Sequence, residues 1–276
     1  MQKSVRTYFQ KKWLVMGVLL VVLLFAAAQA GQYIQKRLAI HEDLIKTESF
    51  RTMRLSEELL AECAELEKAS GISAGKLLAL AFAENNASFP AHMPEFSVLE
   101  KEAAWVERWC PAEFERLENA FAAVWEDVKC FPVRCNAGYE DSWMSLRTYG
   151  GERGHEGTDL MPPENVSGFY PVFSMTDGVV EQLGWLEKGG YRVGIRSPHG
   201  GYFYYAHLSE YSQGLTVGDE VEAGHLLGYM GDTGYGSEGT VGQFAVHLHL
   251  GIYIQTPDGQ ELSVNPYWVL RKAEIL

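Results

Sequence analysis

Cysteine is scarce in this chain of 276 residues, which contains only Cys63, Cys110, Cys130 and Cys135. Their spacing does not match that of a zinc finger, so a cysteine-based metal site is not indicated. Cys130 and Cys135 could close a small disulfide loop outside the cell. Two reduced, partly buried thiols are equally compatible with the sequence.

Basic residues are fewer than acidic residues in this chain. Lys and Arg together number 23 against 36 Asp and Glu, which gives a formal net charge of −13. A strongly acidic surface repels the phosphate backbone of DNA and RNA. The composition therefore argues against a nucleic-acid partner.

Acidic residues are absent from the first 30 positions, which hold four basic residues: Lys3, Arg6, Lys11 and Lys12. These precede Trp13–Ala28, a run without any charged side chain. A basic flank stays in the cytoplasm while the chain behind the apolar run is exported. We therefore predict that residues 1–30 form a cytoplasmic flank and a membrane or signal segment. The remainder of the chain then lies outside the cytoplasm.

The apolar run is at the short end of what a membrane span needs. Ala28-Gln29-Ala30 before Gly31 has the small-x-small form of a signal-peptide cleavage site. We predict a retained single-pass anchor, because Gln32–Arg54 has the pattern of a helical stalk. Cleavage after residue 30 would instead release a secreted protein.

Residues 31–130 are rich in Ala, Glu and Leu and are predicted to form a small helical stalk or module. Helical periodicity runs from Ser56 to Leu66, and Ser73 is placed to cap a largely buried helix over Ala74–Glu84. A third helical stretch spans residues 96–128, where Pro111 is predicted to open a new helix. The module could space the rest of the protein from the membrane, dock on it, or bind a protein partner.

Residues 131–276 carry the turn residues and short alternating strands of an antiparallel β domain. The overall class is therefore α+β. Near its end, Gln243–Ile254 is predicted to be a strand that contains His247 and His249. Residues two apart on a strand point to the same face, so both imidazoles should face one groove and Leu248 the buried side.

A second pair of polar residues, His155 and Asp159, lies four positions apart. Gly154, Gly157 and the Pro162-Pro163 pair argue against a helix here. We predict a loop that enters a short strand, which differs from the helical His-Glu-x-x-His signature of one class of zinc peptidases.

Together with His207, these segments supply four histidines and one aspartate. A catalytic zinc ion needs three protein ligands and an open position for water, which leaves two imidazoles for proton transfer. The other histidines, His41, His92, His199 and His225, are predicted to have structural roles.

These motifs resemble those of the M23 (LytM or lysostaphin-like) peptidoglycan endopeptidases. The resemblance covers roughly residues 145–270 and consists of His-x-x-x-Asp at His155, Tyr-x-His-Leu ending at Leu208, and His-x-His at His247. The stretch Gly231–Val246 departs from the family in being longer, which leaves the shape of one groove wall open.

The resemblance implies an antiparallel β fold and a zinc-dependent endopeptidase that acts on peptidoglycan peptides. By motif, His155, Asp159 and His249 would hold one zinc ion per chain, and His207 and His247 would be the catalytic pair. Two alternatives remain: a LytM-like scaffold that binds the wall or a partner without cutting, and an amidase.

Overall fold

The computed structural model describes residues 2–274, with side chains described from Trp13 onward. Helices make up most of the N-terminal half, and one more closes the chain. Their bounds are α1 Gln2–Ala39, a 3-10 turn Leu44–Lys46, α2 Glu48–Arg51, α3 Glu57–Ser70, α4 Ala74–Glu84, α5 Phe96–Trp109, α6 Pro111–Trp125 and α7 Tyr267–Ala273. The predicted break at Pro111 is confirmed, because α6 begins at that proline.

Helix α1 contains the predicted apolar segment. Its stretch Trp13–Ala39 is 27 residues long and apolar enough to cross a membrane, and none of its most apolar window is buried. At about 1.5 Å per residue it measures about 40 Å, against about 30 Å for the hydrocarbon core of a bilayer. The side chains of the basic flank lie outside the described ones.

The predicted helical stalk over Gln32–Arg54 is wrong as a continuous element. α1 ends at Ala39, and the chain then turns through the 3-10 segment into the short helix α2. Within α2, Arg51 is bonded to residues far along the chain. Its backbone oxygen accepts from Asn265 N–H at 2.8 Å, and its Nε donates to Ser263 O at 3.0 Å.

The C-terminal end of α1 packs against α5. Lys36 forms an ion pair with the buried carboxylate of Glu102. Tyr33 meets Trp105 and Trp109 edge-on, with ring centroids 5.9 and 5.3 Å apart. The apolar helix is therefore joined to the helical module by side-chain contacts as well as by the chain itself.

Helix α4 is the centre of the helical module. Every residue from Ala74 to Ala83 is buried except Lys76, which confirms the predicted buried helix. Phe82 meets Phe121 and Phe50 edge-on at centroid distances of 5.8 and 6.3 Å. Such aromatic pairs add to the stabilisation that burial of apolar area provides.

The cap of α4 differs from the predicted one. Ser73 has the extended backbone of an N-cap residue, but its side chain makes no capping hydrogen bond. Instead, the Glu67 carboxylate accepts from Ala74 N–H at 2.9 Å and the Glu126 carboxylate accepts from Gly75 N–H at 2.8 Å. Two carboxylates thus bind the free N–H groups at the positive end of the helix dipole.

The C-terminal half is an antiparallel β domain. Its strands are β1 Leu146–Arg147, β2 Arg153–Gly154, β3 Thr158–Leu160, β4 Pro171–Phe173, β5 Gly178–Leu186, β6 Gly190–Arg196, β7 Tyr202–Tyr211, β8 Glu220–Val221, β9 Leu226–Met230, β10 Leu248–Gln255 and β11 Glu261–Val264. The main sheet has the order β11-β10-β7-β6-β5-β8, with β3 added to β10 and the β4-β9 pair joined to β7. β1 and β2 form a separate hairpin.

The helical module and the sheet share one continuous core. α6 lies against the turn before β7, where Gly201 allows the close approach: a Cβ on Gly201 would be 2.0 Å from Ala123 O. Lys272 on α7 also donates to Trp125 O at 3.0 Å. Any larger residue at position 201 would push α6 away from the sheet.

All four cysteines are free thiols in the structure. Burial raises the pKa of Cys63 to about 12, so this thiol stays protonated and unreactive. Of the two states that the sequence left open for Cys130 and Cys135, the structure has the reduced one. Cys130 Sγ donates to Ser174 O at 3.2 Å.

The cap of α4 gives a stability prediction. Glu126→Ala should lower the free energy of unfolding by about 1 kcal/mol, the usual cost of losing an N-cap acceptor. Ser73→Ala should change it by less than about 0.5 kcal/mol, because that hydroxyl caps nothing. Urea unfolding of the full chain in detergent measures both, and a larger loss for Ser73→Ala would contradict the assignment.

Candidate metal centre and catalytic groove

The pairing of β3 with β10 brings the two ends of the predicted site together. Asp159 lies directly opposite His249 in this antiparallel pair. His155 sits in the loop between β2 and β3, so the predicted loop entering a short strand is confirmed. Residues directly opposite on antiparallel strands have their Cβ atoms about 5 Å apart, which lets their side chains meet.

Three side-chain atoms converge at this point. His155 Nε2 lies 3.0 Å from His249 Nδ1 and 3.0 Å from Asp159 Oδ1, and His249 Nδ1 lies 2.9 Å from the same oxygen. A tetrahedral zinc ion with bonds of about 2.0 Å separates its ligand atoms by about 3.3 Å. Two imidazole nitrogens and one carboxylate oxygen therefore fit zinc in both type and spacing, and together they form a candidate metal site.

His247 lies at the edge of this cluster. Its Nε2 is 3.8 Å from Asp159 Oδ1. The predicted alternation holds, because Leu248 and Leu250 are fully buried on the opposite side. The predicted strand starts too early, however: β10 begins at Leu248, and His247 makes only an isolated bridge to Gly231.

The segment before His247 is irregular because a side chain takes the place of a neighbouring strand. Val246 N–H donates to Asn165 Oδ1 at 2.7 Å. His247 Nδ1 lies 2.8 Å from Ala245 O. A carbonyl oxygen can only accept, so Nδ1 carries the proton and Nε2 has a free lone pair.

His207 reaches the groove through a β-bulge in β7. Val193 and Tyr191 on β6 pair with Tyr205 and Leu208, so β7 has one extra residue there. His207 has φ +62°, in the left-handed region that non-glycine residues rarely adopt. Bulges with strained backbone re-aim side chains and are frequent next to active sites.

The His207 imidazole is oriented in the same way as that of His247. Its Nδ1 donates to Thr233 O at 2.8 Å, which leaves Nε2 free. The two ring centroids are 4.7 Å apart. Burial, with a smaller contribution from His247 and His249, lowers the pKa of His207 well below its ordinary value. This imidazole is therefore neutral near pH 7 and able to accept a proton.

The carboxylate of Asp159 stays ionised. Burial alone would raise its pKa, but hydrogen bonds from His155 and His249 outweigh burial and lower it far below the usual range. Burial lowers the pKa of His249, which favours the neutral imidazole that a metal needs.

Two residues that the sequence analysis did not single out, Arg147 and Ser142, contact the outer atoms of the candidate ligands. Arg147 Nη2 donates to Asp159 Oδ2 at 2.6 Å and lies 3.0 Å from His155 Nδ1. Ser142 Oγ is also 3.0 Å from His155 Nδ1. Groups of this kind fix ligand orientation. Arg147 reaches this position through the β1–β2 pairing, which sets it beside Arg153, and no local motif marks it.

The long stretch Gly231–Val246 forms an aromatic wall over the two outer histidines. Phe244 has its ring centroid 4.6 Å from that of His207 and 5.1 Å from that of His247. Tyr235, from the same stretch, stacks on Tyr149 of the β1–β2 hairpin at 4.1 Å with 3° between the ring planes. The extra length therefore provides side chains that shield the histidines from solvent.

Among the other histidines, three have side-chain hydrogen-bond partners. His41 Nδ1 accepts from Asp43 N–H at 3.2 Å. His199 contacts both oxygens of Asp127, through its backbone N–H at 2.7 Å and its Nδ1 at 2.8 Å. His92 Nδ1 lies 3.0 Å from Glu62 Oε1. None of His41, His92, His199 and His225 lines the cavity of about 460 Å³ that contains the five predicted site residues.

Comparison with known proteins gives the family. The profile of Peptidase family M23 matches residues 153–266, which include all five predicted site residues. Among curated proteins, the L-Ala–D-Glu endopeptidase of Bacillus subtilis is 39% identical over 165 residues, or 59% of this chain and 49% of that protein. The glycyl-glycine endopeptidase ALE-1 of Staphylococcus capitis is 36% identical over 81 residues, or 29% of this chain and 20% of that protein.

A solved structure of a LytM protein from Ruminococcus gnavus resembles the chain over a much larger share. It is 43% identical with a TM-score of 0.75, and the similarity covers 87% of this chain and 96% of that one. The chain spans about half the length, or less, of the curated relatives it matches. Because nearly all of a 43% identical relative is matched, the chain belongs to peptidase family M23.

Proposed function

We propose that the protein is a zinc-dependent endopeptidase that hydrolyses peptide bonds of bacterial peptidoglycan. The convergence of His155 Nε2, Asp159 Oδ1 and His249 Nδ1 within 3.0 Å supports this proposal most directly. Membership of family M23 and relatives named as endopeptidases support the reaction class.

In this proposal His155, Asp159 and His249 hold one zinc ion. When bound, zinc polarises the scissile carbonyl and lowers the pKa of water. Arg147 and Ser142 keep Asp159 and His155 in place, since each contacts a ligand through the atom that faces away from the cluster. Two imidazoles and one carboxylate would hold the ion without neutralising its charge.

His207 and His247 transfer protons. Each has its Nδ1 proton bonded to a backbone carbonyl, so Nε2 is the atom that accepts a proton from the attacking water and returns it to the leaving amine. The low pKa of His207 keeps it available as the base near neutral pH. Phe244 shields both rings, which strengthens charge interactions at Nε2.

We further propose that α1 anchors the chain in the membrane, with the peptidase outside the cytoplasm. The exposed apolar stretch of α1 and the basic residues before it support this topology. Residues 1–30 would then be the flank and anchor, 31–130 the helical module and 131–276 the peptidase domain. Cleavage after residue 30 would give a secreted form.

A non-cutting scaffold on the same fold is the alternative. It requires no assembled site, whereas this chain brings together three candidate ligands and two oriented imidazoles. That assembly favours catalysis. Amidase chemistry would use the same metal site and differs only in the bond that is cut.

Removal of a ligand should release the metal. His249→Ala should reduce bound zinc from one per chain to below about one tenth, because two donors alone bind zinc weakly. Elemental analysis of the purified full chain measures this content. His199→Ala is the matched control and should retain one zinc, because His199 bonds to Asp127 instead. Full zinc retention by His249→Ala would refute the ligand assignment.

Removal of a proton-transfer group should leave the metal in place. We expect His247→Ala to lower kcat by about 10²- to 10⁴-fold at unchanged zinc content. His207→Ala should behave alike, because both imidazoles point a free Nε2 into the same cavity. Initial rates on a cleavable peptide, with elemental analysis in parallel, check this. A variant within threefold of the unaltered rate would show that its histidine has another role.

The reaction itself is tested by mass spectrometry of peptidoglycan digested with the full chain, with and without a chelator. Chelator-sensitive new termini within stem peptides or cross-bridges are expected. New termini at the glycan–peptide junction would indicate an amidase instead. Absence of cleavage across walls of several cross-link types would favour the scaffold.

A further inference from the structure

The catalytic groove is basic although the chain as a whole is acidic. Four cationic side chains line the cavity: Arg147, Arg153, Lys188 and Arg192. Of these, only Arg147 forms an ion pair with a carboxylate within the described part of the chain. The other three leave positive charge in the groove of a protein with a formal net charge of −13.

Each carboxylate that lines the groove forms its ion pair with a cationic side chain other than Arg153, Lys188 and Arg192. Asp159 pairs with Arg147 at 2.6 Å, and Glu156 pairs with Arg51 at 3.4 Å. Glu261 pairs with Arg196 at 2.7 Å. Four cationic side chains against three carboxylates leave the lining of the groove with a net positive charge.

Arg192 is the best-defined of the unpaired cations, and Arg196 on the same strand provides a comparison. The two lie four residues apart on β6 and so point to the same face of the sheet. Arg196 binds both oxygens of Glu181, at 2.6 and 2.9 Å, and also Glu261. Arg192 is half-buried and makes one side-chain hydrogen bond, from Nη2 to Gln182 Oε1 at 3.2 Å, and its inaccessible Nη1 has no partner among the described residues.

A buried guanidinium N–H without an acceptor costs free energy, and a buried charge without a counter-charge costs more. A partnerless group of this kind inside a cavity calls for an explanation, and one is that a bound ligand supplies the missing acceptor. A guanidinium fork matches a carboxylate through two parallel hydrogen bonds. The chemistry of Arg192 therefore fits an acidic ligand.

The position of Arg192 relates this ligand to the scissile bond. On β7, Ala206 pairs with His249 of β10, and Arg192 on β6 lies beside the same part of β7. Neighbouring strands lie about 4.8 Å apart, and β6 is separated from β10 by β7. Arg192 therefore lies about 10 Å from His249, one of the candidate metal ligands. At that distance Arg192 can reach a side-chain group of the substrate residue that is next to the cleaved bond.

We propose that Arg192 binds a carboxylate of the peptide substrate, so that the enzyme selects bonds next to an acidic residue. This inference rests on the proposed endopeptidase function and names its substrate class. Tyr202 and Tyr204, which line the same cavity, add neutral hydroxyl donors and no competing negative charge. Lys188 and Arg153 raise the positive potential along the rest of the groove.

The test uses two stem peptides that differ only at the α-carboxyl of a γ-linked glutamyl residue, free in one and amidated in the other. The full chain loaded with zinc should cleave the acidic peptide with kcat/KM at least about tenfold higher. Arg192→Gln should lower kcat/KM on the acidic peptide by about ten- to a hundredfold and leave the amidated peptide unchanged, because only the charge-assisted bonds are lost.

Two further variants serve as controls. Arg192→Lys keeps the charge without the fork and should retain part of the preference for the acidic peptide. Lys101→Gln removes one positive charge from the exposed surface of α5, far from the groove, and should behave as the unaltered protein. Zinc content identifies any variant that fails to fold.

Equal cleavage of both peptides by the unaltered chain, or an equal loss on both by Arg192→Gln, would overturn the role of Arg192. If neither peptide is cut, this result contradicts the endopeptidase proposal and leaves the role of Arg192 to a binding measurement. Calorimetry with the acidic and amidated fragments still tests the carboxylate site in that case. Tighter binding of the acidic fragment that is lost in Arg192→Gln supports the site, and equal binding refutes it.

Discussion

The antiparallel pairing of β3 with β10 is the interaction on which the site depends. It places Asp159 opposite His249 across 90 residues of chain, and the loop before β3 then brings His155 to the same point. β10 is also paired on its other side with β7, which carries His207. A slip of one residue in this register would turn His249 into the core and Leu248 and Leu250 into the groove. The fully buried leucines therefore keep the candidate metal ligands in place.

The groove combines a rigid floor with walls from irregular segments. Strands β6, β7 and β10 fix the positions of Arg192, Tyr204 and His249, while the stretch Gly231–Val246 contributes Tyr235 and Phe244. Backbone carbonyls of the irregular segments also set the imidazoles of His207 and His247, each through its Nδ1. Carbonyl oxygens of the stretch Gly231–Val246 therefore decide that Nε2 is the free nitrogen of both imidazoles. Strand β7 and the start of β10 decide where the two rings lie.

The helical module is bound to the β domain rather than held apart from it. Arg51 and Thr52, just before α3, accept hydrogen bonds from Asn265 at the end of the sheet. Arg51 also reaches Glu156, the neighbour of His155, at 3.4 Å. Together with the Lys36–Glu102 ion pair, these contacts form a continuous path from α1 through the helices to the edge of the groove. We infer that the orientation of the groove relative to α1 is fixed by side-chain packing.

Local chemistry in the sequence was enough to predict the buried helix α4, the new helix at Pro111, the loop at His155 and the shared face of His247 and His249. Each depends on periodicity or backbone preference within a few neighbouring residues.

The tertiary structure alone decided the capping of α4 by Glu126, the end of the apolar helix at Ala39, the bulge that turns His207 into the groove, and the contact of Arg147 with Asp159. It also left Arg192 without a carboxylate partner in the described part of the chain, while Arg196, four residues away on the same strand, pairs with Glu181 and Glu261. These features depend on groups distant in the chain, because a charge or a strained backbone acquires its partner only when strands and helices pack.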